Sequence, residues 1–280
     1  MVEEHSGNSW LLHMAFSSHQ ARKRFGQHWL IDQAVLDRIV VAAQLQAGES
    51  ILEIGPGRGA LTSRLLASEI SRLEAIELDR DLVEGLRLNF GADPRFVLHS
   101  GDVLQLPLPM ANKVVANIPY NITGPLLERL LGRLDQPPAV AYEQLVLLVQ
   151  QEVAQRISAS PGDSNYSGLS VRLQLLCECS CVCSVPPRCF QPPPKVMSAV
   201  ISLRPRSEQL DQAVAQQVER LLRQSFASRR KMLRNSLASF VEAEKFSYWL
   251  EAAAVRPDQR PQELCPDQWL ALASSLLPLN

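Results

Sequence analysis

The stretch from Ser50 to Ala67 constrains the fold more than any other part of the chain. A short apolar run, Ser50-Ile51-Leu52-Glu53-Ile54, meets Gly55-Pro56-Gly57-Arg58-Gly59 and passes directly into the helical run Ala60 to Ala67. Five residues of this kind, closed by glycines, read as a buried parallel strand followed by a helix. Glycines at such a corner let the backbone approach a ligand closely, and the helix start presents free N–H groups beside it. The unit is the first step of an α/β, Rossmann-like doubly wound sheet, and it implies a nucleotide-like cofactor.

The following segments fit the same pattern. Arg72 to Glu77 reads as the second strand and ends in an acid about twenty positions beyond the glycines, where a carboxylate can accept from both ribose hydroxyls. Glu77 is therefore the candidate ribose clamp. Arg95 to His99 reads as a third strand with Gly101-Asp102 at its end, and a fourth strand ends at Asn117. Ligands in such sheets bind over the carboxyl ends of the strands, so Gly55, Gly57, Glu77, Asp102 and Asn117 should converge on one cleft.

Gly55-x-Gly57-x-x-Ala60 also satisfies the relaxed dinucleotide fingerprint of nicotinamide enzymes, and the segment Val115-Ala116-Asn117-Ile118-Pro119-Tyr120 separates the two readings. Asn117 offers a hydrogen-bond acceptor. Pro119 stiffens the turn so that the Ile118 carbonyl can supply a second, and Tyr120 offers a stacking face. Two acceptors aimed at the hydrogens of an exocyclic base amine favour its pyramidal, reactive form. Such a corner alkylates an amine without a general base and has no use in hydride transfer. The layout is that of an S-adenosylmethionine site in which the sulfonium methyl faces the corner and Asp102 accepts from the adenine amine.

These motifs, together with Arg24-Phe25-Gly26-Gln27 and Leu30, Ile76-Glu77-Leu78-Asp79, Gln150-Gln151-Glu152-Val153 and Phe190-Gln191-Pro192-Pro193-Pro194-Lys195-Val196, make the chain similar to the KsgA-type ribosomal RNA adenine N6-dimethyltransferases. The resemblance runs from Arg22 to about Leu237. It implies the fold of the class I S-adenosylmethionine methyltransferases with a small all-α carboxy-terminal domain. It also implies cofactor contacts at His28, Leu30, Gly55, Glu77, Asp102 and Asn117. Many family members carry Asn where this chain has His28 and Phe where it has Trp29. The implied substrate is a pair of adjacent adenosines in a hairpin loop near the 3′ end of small-subunit (16S) rRNA, on an immature 30S subunit. A flipped adenine would be held between Tyr120 and Phe190. A large-subunit adenine dimethylase of the macrolide-resistance type and a non-catalytic assembly factor are the alternatives.

Three parts are expected: an unstructured extension over 1–20, a catalytic domain over 21–206, and a helical RNA- and ribosome-docking domain over 207–280. The segment Arg24 to Leu30 reads as a lid. The net charge of −1 argues against indiscriminate polyanion binding, but the charges are clustered. Arg22, Lys23 and Arg24 form one basic group, and Arg223, Arg229, Arg230, Lys231 and Arg234 form another on one or two helices between Ala213 and Phe240, suited to tracking phosphates. Cys177, Cys179, Cys181 and Cys183 alternate along a strand, which puts all four on one face as small buried hydrophobes of a central strand. An extended strand spreads thiols too widely for tetrahedral closure, so no metal is expected. A monomer in the cytoplasm, away from membranes, is the default.

Overall fold

The computed structural model describes Arg22, residues 26–208 and residues 210–277; the expected unstructured extension over 1–20, together with Lys23 and Arg24, lies outside the described residues. The chain divides into two compact units. The first runs to Leu130 and takes in Ala139–Gln151 and Ser180–Arg204, while the second comprises Leu131–Pro138, Glu152–Cys179 and the chain from Pro205 onward. The division therefore differs from the linear boundary expected at 206/207: two internal segments group with the carboxy-terminal helices.

The first unit is built on a sheet of seven strands. Those in parallel are β2 (Ser50–Ile54), β3 (Arg72–Glu77), β4 (Phe96–Ser100), β5 (Lys113–Asn117) and β6 (Gln144–Gln150), with β9 (Ser198–Pro205) running antiparallel to β6 and β7 (Cys177–Val185) beyond it; the first three residues of β7 and the last of β9 belong to the second unit. The spatial order is β4-β3-β2-β5-β6-β9-β7. The chain steps outward from β2 to β4 and then returns to lay β5 on the other side of β2, which makes the β2/β5 gap the switch point where a ligand crevice opens. β2 and β6 read as continuous apolar runs because both faces are covered: Ile51, Leu52, Leu145 and Leu147 are all fully buried.

Helices α1 (Gln33–Ala43), α2 (Ala60–Leu66) and α3 (Arg80–Phe90) pack on this sheet, and α4 (Thr123–Leu131) follows the Asn117 corner through a single 3₁₀ turn at Tyr120–Ile122. α1 starts where the Asp32 carboxylate accepts from the Val35 N–H, and it buries Val35, Leu36, Ile39 and Ala43 at helical spacing. A separate two-stranded ribbon pairs β1 (Trp29–Leu30) with β8 (Phe190–Gln191) in antiparallel register, Leu30 opposite Phe190. Trp29, Leu30 and Phe190 join the same core as α1 and the sheet.

Two expectations are corrected here. The cysteine strand β7 is an edge strand rather than a central one, and its thiols grade from buried Cys177 through half-buried Cys179 and Cys183 to exposed Cys181. Phe190 is only 3% exposed and belongs to the core under β1, so its ring is not offered to a base.

The second unit has its own core. It contains α5 (Gln151–Ser158), whose first residue belongs to the sheet unit, and α6 (Gly168–Leu176), α7 (Gln212–Phe226), α8 (Leu233–Ser236), α9 (Ala243–Ala252) and α10 (Pro266–Ser274). Trp249 and Trp269 fill the space among α7, α9 and α10. The Trp249 indole donates to the Leu272 carbonyl at 3.0 Å, and the Tyr166 hydroxyl donates to the Leu264 carbonyl at 3.0 Å. Asp211 caps α7 by accepting from the N–H groups of Ala213 and Val214. Glu219, the single acid of its basic stretch, is buried and held by Arg172, whose Nε sits 2.9 and 2.8 Å from its two oxygens.

Candidate active site

Four strand ends and the segment before β1 enclose a cleft of about 340 Å³, within the usual range for small-molecule sites. β2 contributes Ile54 with Gly55 and Gly57, β3 contributes Ile76, Glu77 and then Leu78, and the turn after β4 contributes Gly101, Asp102 and Val103. β5 ends in Asn117, followed by Ile118, Pro119 and Tyr120, and the lead-in supplies Gly26, Gln27, His28 and Trp29. Of the expected cofactor contacts, His28, Gly55, Gly57, Glu77, Asp102 and Asn117 therefore meet in one place. Leu30 does not: it is buried in the core with Phe190 as its partner across the ribbon.

The corner glycines are needed for their backbone. Gly55, Gly57 and Gly59 all have positive φ. A Cβ on Gly57 would lie 2.8 Å from the Trp29 ring, and one on Gly55 would point across the cleft at the Asn117 carbonyl and Pro119, 3.8 and 3.9 Å away. The space between the two corners is thus kept open by the absence of side chains. The Arg58 guanidinium stacks 3.9 Å from the Trp29 ring centroid, which fixes the indole over the glycine turn.

Glu77 is held from both sides. One carboxylate oxygen accepts from the Gly57 N–H at 3.1 Å and the other from the Asp79 N–H at 2.8 Å, so lone pairs remain for further donors. Burial pushes its carboxyl up from the ordinary range, against the pull of those hydrogen bonds. Beneath it, Glu53 is fully buried; desolvation pushes its carboxyl up to about 8, although the Thr62 hydroxyl donates to it at 2.7 Å. Neither Glu53 nor Asp79 was singled out from the sequence, though an acid inside an apolar strand and the Glu-x-Asp spacing were the available signals.

At the other corner the Asn117 amide donates through Nδ2 to the His28 carbonyl at 2.9 Å. That bond fixes the side chain and leaves Oδ1 as its acceptor atom. The Tyr120 hydroxyl lies 2.6 Å from Ser198 Oγ, anchoring the ring to β9. The His28 ring stacks on Tyr120 with centroids 5.8 Å apart and planes 24° from parallel, and its Nδ1 is 2.8 Å from the Pro192 carbonyl.

The lead-in is latched by Asp79, whose side chain is fully buried. Arg22 Nη1 and Gln27 Nε2 approach its two oxygens at 2.9 and 2.8 Å, and Arg22 also pairs with Asp81. This corrects the reading of Arg22 as a phosphate contact, because its guanidinium is committed to two carboxylates. Arg229 is corrected likewise: it donates to the Ser164 and Tyr166 carbonyls and ties down the 160–168 loop. In the second unit Arg223, Arg230, Lys231 and Arg234 remain exposed. Among the described residues no group of three or more His, Cys, Asp or Glu side chains is arranged to hold a metal ion.

A doubly wound sheet in this order, with a glycine corner, an acid ending the next strand and an Asn-x-Pro-Tyr turn facing both, defines a class I methyltransferase. A model of the ribosomal RNA adenine dimethylase family matches residues 18–277, and the chain belongs to that family. It is 62% identical over 272 residues to a ribosomal RNA small subunit methyltransferase A of Synechococcus sp. (strain RCC307), covering 95% of this chain and 99% of the relative. A protein of the same name from Parasynechococcus marenigrum (strain WH8102) is 60% identical over 94% of this chain and 89% of its own length. Among solved structures, a dimethyladenosine transferase from Plasmodium falciparum superposes with a TM-score of 0.73 at 26% identity, covering 88% of this chain and 96% of the other. The 23S rRNA methyltransferase ErmE superposes with a TM-score of 0.73 at 30% identity, covering 89% and 99%.

Proposed function

We propose that the protein dimethylates the N6 amines of two adjacent adenosines in a hairpin loop near the 3′ end of small-subunit (16S) rRNA, using S-adenosylmethionine, on an immature 30S subunit late in its assembly. The observation that carries the reading is Asn117: its Nδ2 donates to the His28 carbonyl, which fixes the amide in the cleft with Oδ1 available as an acceptor, as an amine substrate requires. S-adenosylmethionine supplies an electrophilic methyl already activated by its positive sulfur. Glu77 would accept from the ribose hydroxyls, Asp102 from the adenine amine, and Gly55 and Gly57 would let the chain lie against the cofactor. Asn117 Oδ1 and the Ile118 carbonyl would hold the hydrogens of the target N6 while Tyr120 stacks on its ring, with Pro119 fixing the turn. Ribose hydroxyls donating to Glu77 would favour its anion and offset the burial that pushes its carboxyl up. The amine proton leaves to water, so catalysis comes from alignment and the two acceptors.

Arg223, Arg230, Lys231 and Arg234 would contact RNA phosphates from the second unit, as their exposure supports. The protein would act as a monomer in the cytoplasm; among the described residues no helix is long and apolar enough to cross a membrane. A large-subunit RNA substrate is the competing reading, given the likeness to ErmE, but identities of about 60% over nearly full length to proteins named for the small subunit favour the first. Asn117→Ala should abolish methyl transfer and leave RNA retention largely intact. Primer extension on small-subunit rRNA from cells lacking the protein should read through a stop that the wild type imposes; an unchanged stop would refute the assignment.

A further inference from the structure

We infer that Arg58, whose side chain does not line the cleft, sets the affinity for the cofactor by clamping Trp29 over the glycine corner; it is a positioning residue, and the inference rests on the S-adenosylmethionine reading above. Arg58 is half-buried, with its guanidinium 3.9 Å from the centroid of the Trp29 ring. Burial works against its charge, a cost that a cation held over an indole face offsets. The ring it covers is buried and takes the space that a side chain on Gly57 would need: a Cβ there would lie 2.8 Å from Trp29 Cδ1 and 3.1 Å from Nε1. The indole is thus pinned between the guanidinium and the backbone of the corner.

Two parts of the cofactor cleft depend on where the indole sits. The Gly57 N–H beneath its edge donates to Glu77 at 3.1 Å. The peptide that joins His28 to Trp29 carries the carbonyl to which Asn117 Nδ2 donates at 2.9 Å. Other ties hold the lead-in elsewhere: Asp79 takes Arg22 and Gln27, and β1 pairs with β8 through only two residues, a ribbon too short to be stable by itself. Arg58 therefore supplies the tie between the glycine corner and the stretch next to β1. While the indole is pinned, Gly26 to Trp29 wall the cleft. Releasing it lowers the fraction of molecules with that wall in place, and the apparent dissociation constant of the cofactor rises by the same factor. Because Arg58 acts only through the ring, its side chain can be changed without removing any group that lines the cleft.

The experiment compares wild type, Arg58→Leu and Arg58→Lys. Each is measured for S-adenosylmethionine affinity by calorimetry, for the cofactor KM and the kcat of methyl transfer to a hairpin RNA, and for hydrogen exchange of peptides spanning residues 26–31 in the cofactor-free protein. Arg58→Leu should weaken cofactor binding and raise the cofactor KM by about 3- to 30-fold, the range that a cation over an indole is worth, while kcat at saturating cofactor stays within about twofold. Exchange over residues 26–31 should quicken in Arg58→Leu, and Arg58→Lys, which keeps a cation, should lie closer to wild type than to Leu in both affinity and exchange. Cofactor affinity in Arg58→Leu within about twofold of wild type would overturn the inference, as would equal losses in Leu and Lys, because the charge would then not be what holds the ring. If the wild type takes up no S-adenosylmethionine, the cofactor reading fails and exchange alone decides: faster exchange in Leu than in wild type and Lys upholds the clamp, and equal exchange overturns it.

Discussion

Removing the Arg22 guanidinium should cost stability without weakening phosphate contacts, opposite to what its place in a basic cluster suggests. Asp79 is fully enclosed and receives Arg22 and Gln27, while it also caps α3 by accepting from the Asp81 N–H. The Arg22 side chain is 37% exposed, so Arg22→Ala should cost about 1 kcal/mol, near the upper end for partly solvated ion pairs. Asp79→Ala removes that pair, the Gln27 bond and the helix cap, the cap alone being worth about 0.5–2 kcal/mol, for a total of about 3 kcal/mol. Urea unfolding of both single variants and the double variant should give a coupling energy of about 1 kcal/mol. In parallel, the salt dependence of hairpin RNA binding should keep its slope in Arg22→Ala. A coupling energy of zero, or a slope reduced by about one counterion, would mean that the guanidinium serves RNA and that the latch is wrong.

Other consequences are open to equally direct measurement. Glu53 keeps its proton in the folded state up to about pH 8, whereas the unfolded chain releases it near 4.5, so stability should fall as pH rises through that window and level off above it. Glu53→Gln should flatten much of that slope in denaturation series; a variant retaining the full slope would remove Glu53 as its source. Phe190→Ala should lower stability by about 3–5 kcal/mol as a core truncation, and intact stability with lost RNA binding would restore Phe190 as a stacking residue. Replacing Arg223, Arg230, Lys231 and Arg234 together by Gln should reduce the salt slope of RNA binding by about 3; an unchanged slope would place the RNA on another face.

Much of the first unit was legible because its signals are local. Four parallel strands, β2, β3, β5 and β6, are buried over most of their length and read as largely apolar runs, while a glycine corner ends β2, Gly101-Asp102 follows β4 and an Asn-x-Pro-Tyr turn ends β5. The convergence of Gly55, Glu77, Asp102 and Asn117 then follows from topology alone. What failed depends on pairings across long sequence separations. The alternation of Cys177 to Cys183 marks a strand, but nothing in it says that β7 lies at the sheet edge. Phe190 follows a proline-rich turn and looks available, yet its antiparallel pairing with Leu30 carries the ring inward. Arg22 and Arg229 look solvated until Asp79 and the 160–168 loop are brought beside them. Helices α1, α3, α6 and α9 passed unnoticed between stronger motifs, although α1 carries an Asp32 cap and α3 an Asp79 cap.

The most direct measurement incubates the purified protein with isotopically labelled S-adenosylmethionine and immature small ribosomal subunits, then maps label in the RNA by nuclease digestion and mass spectrometry. Two adjacent N6,N6-dimethyladenosines in the hairpin near the 3′ end, absent with Asn117→Ala, are the predicted result. No label in that hairpin, or equal label with Asn117→Ala, would contradict it.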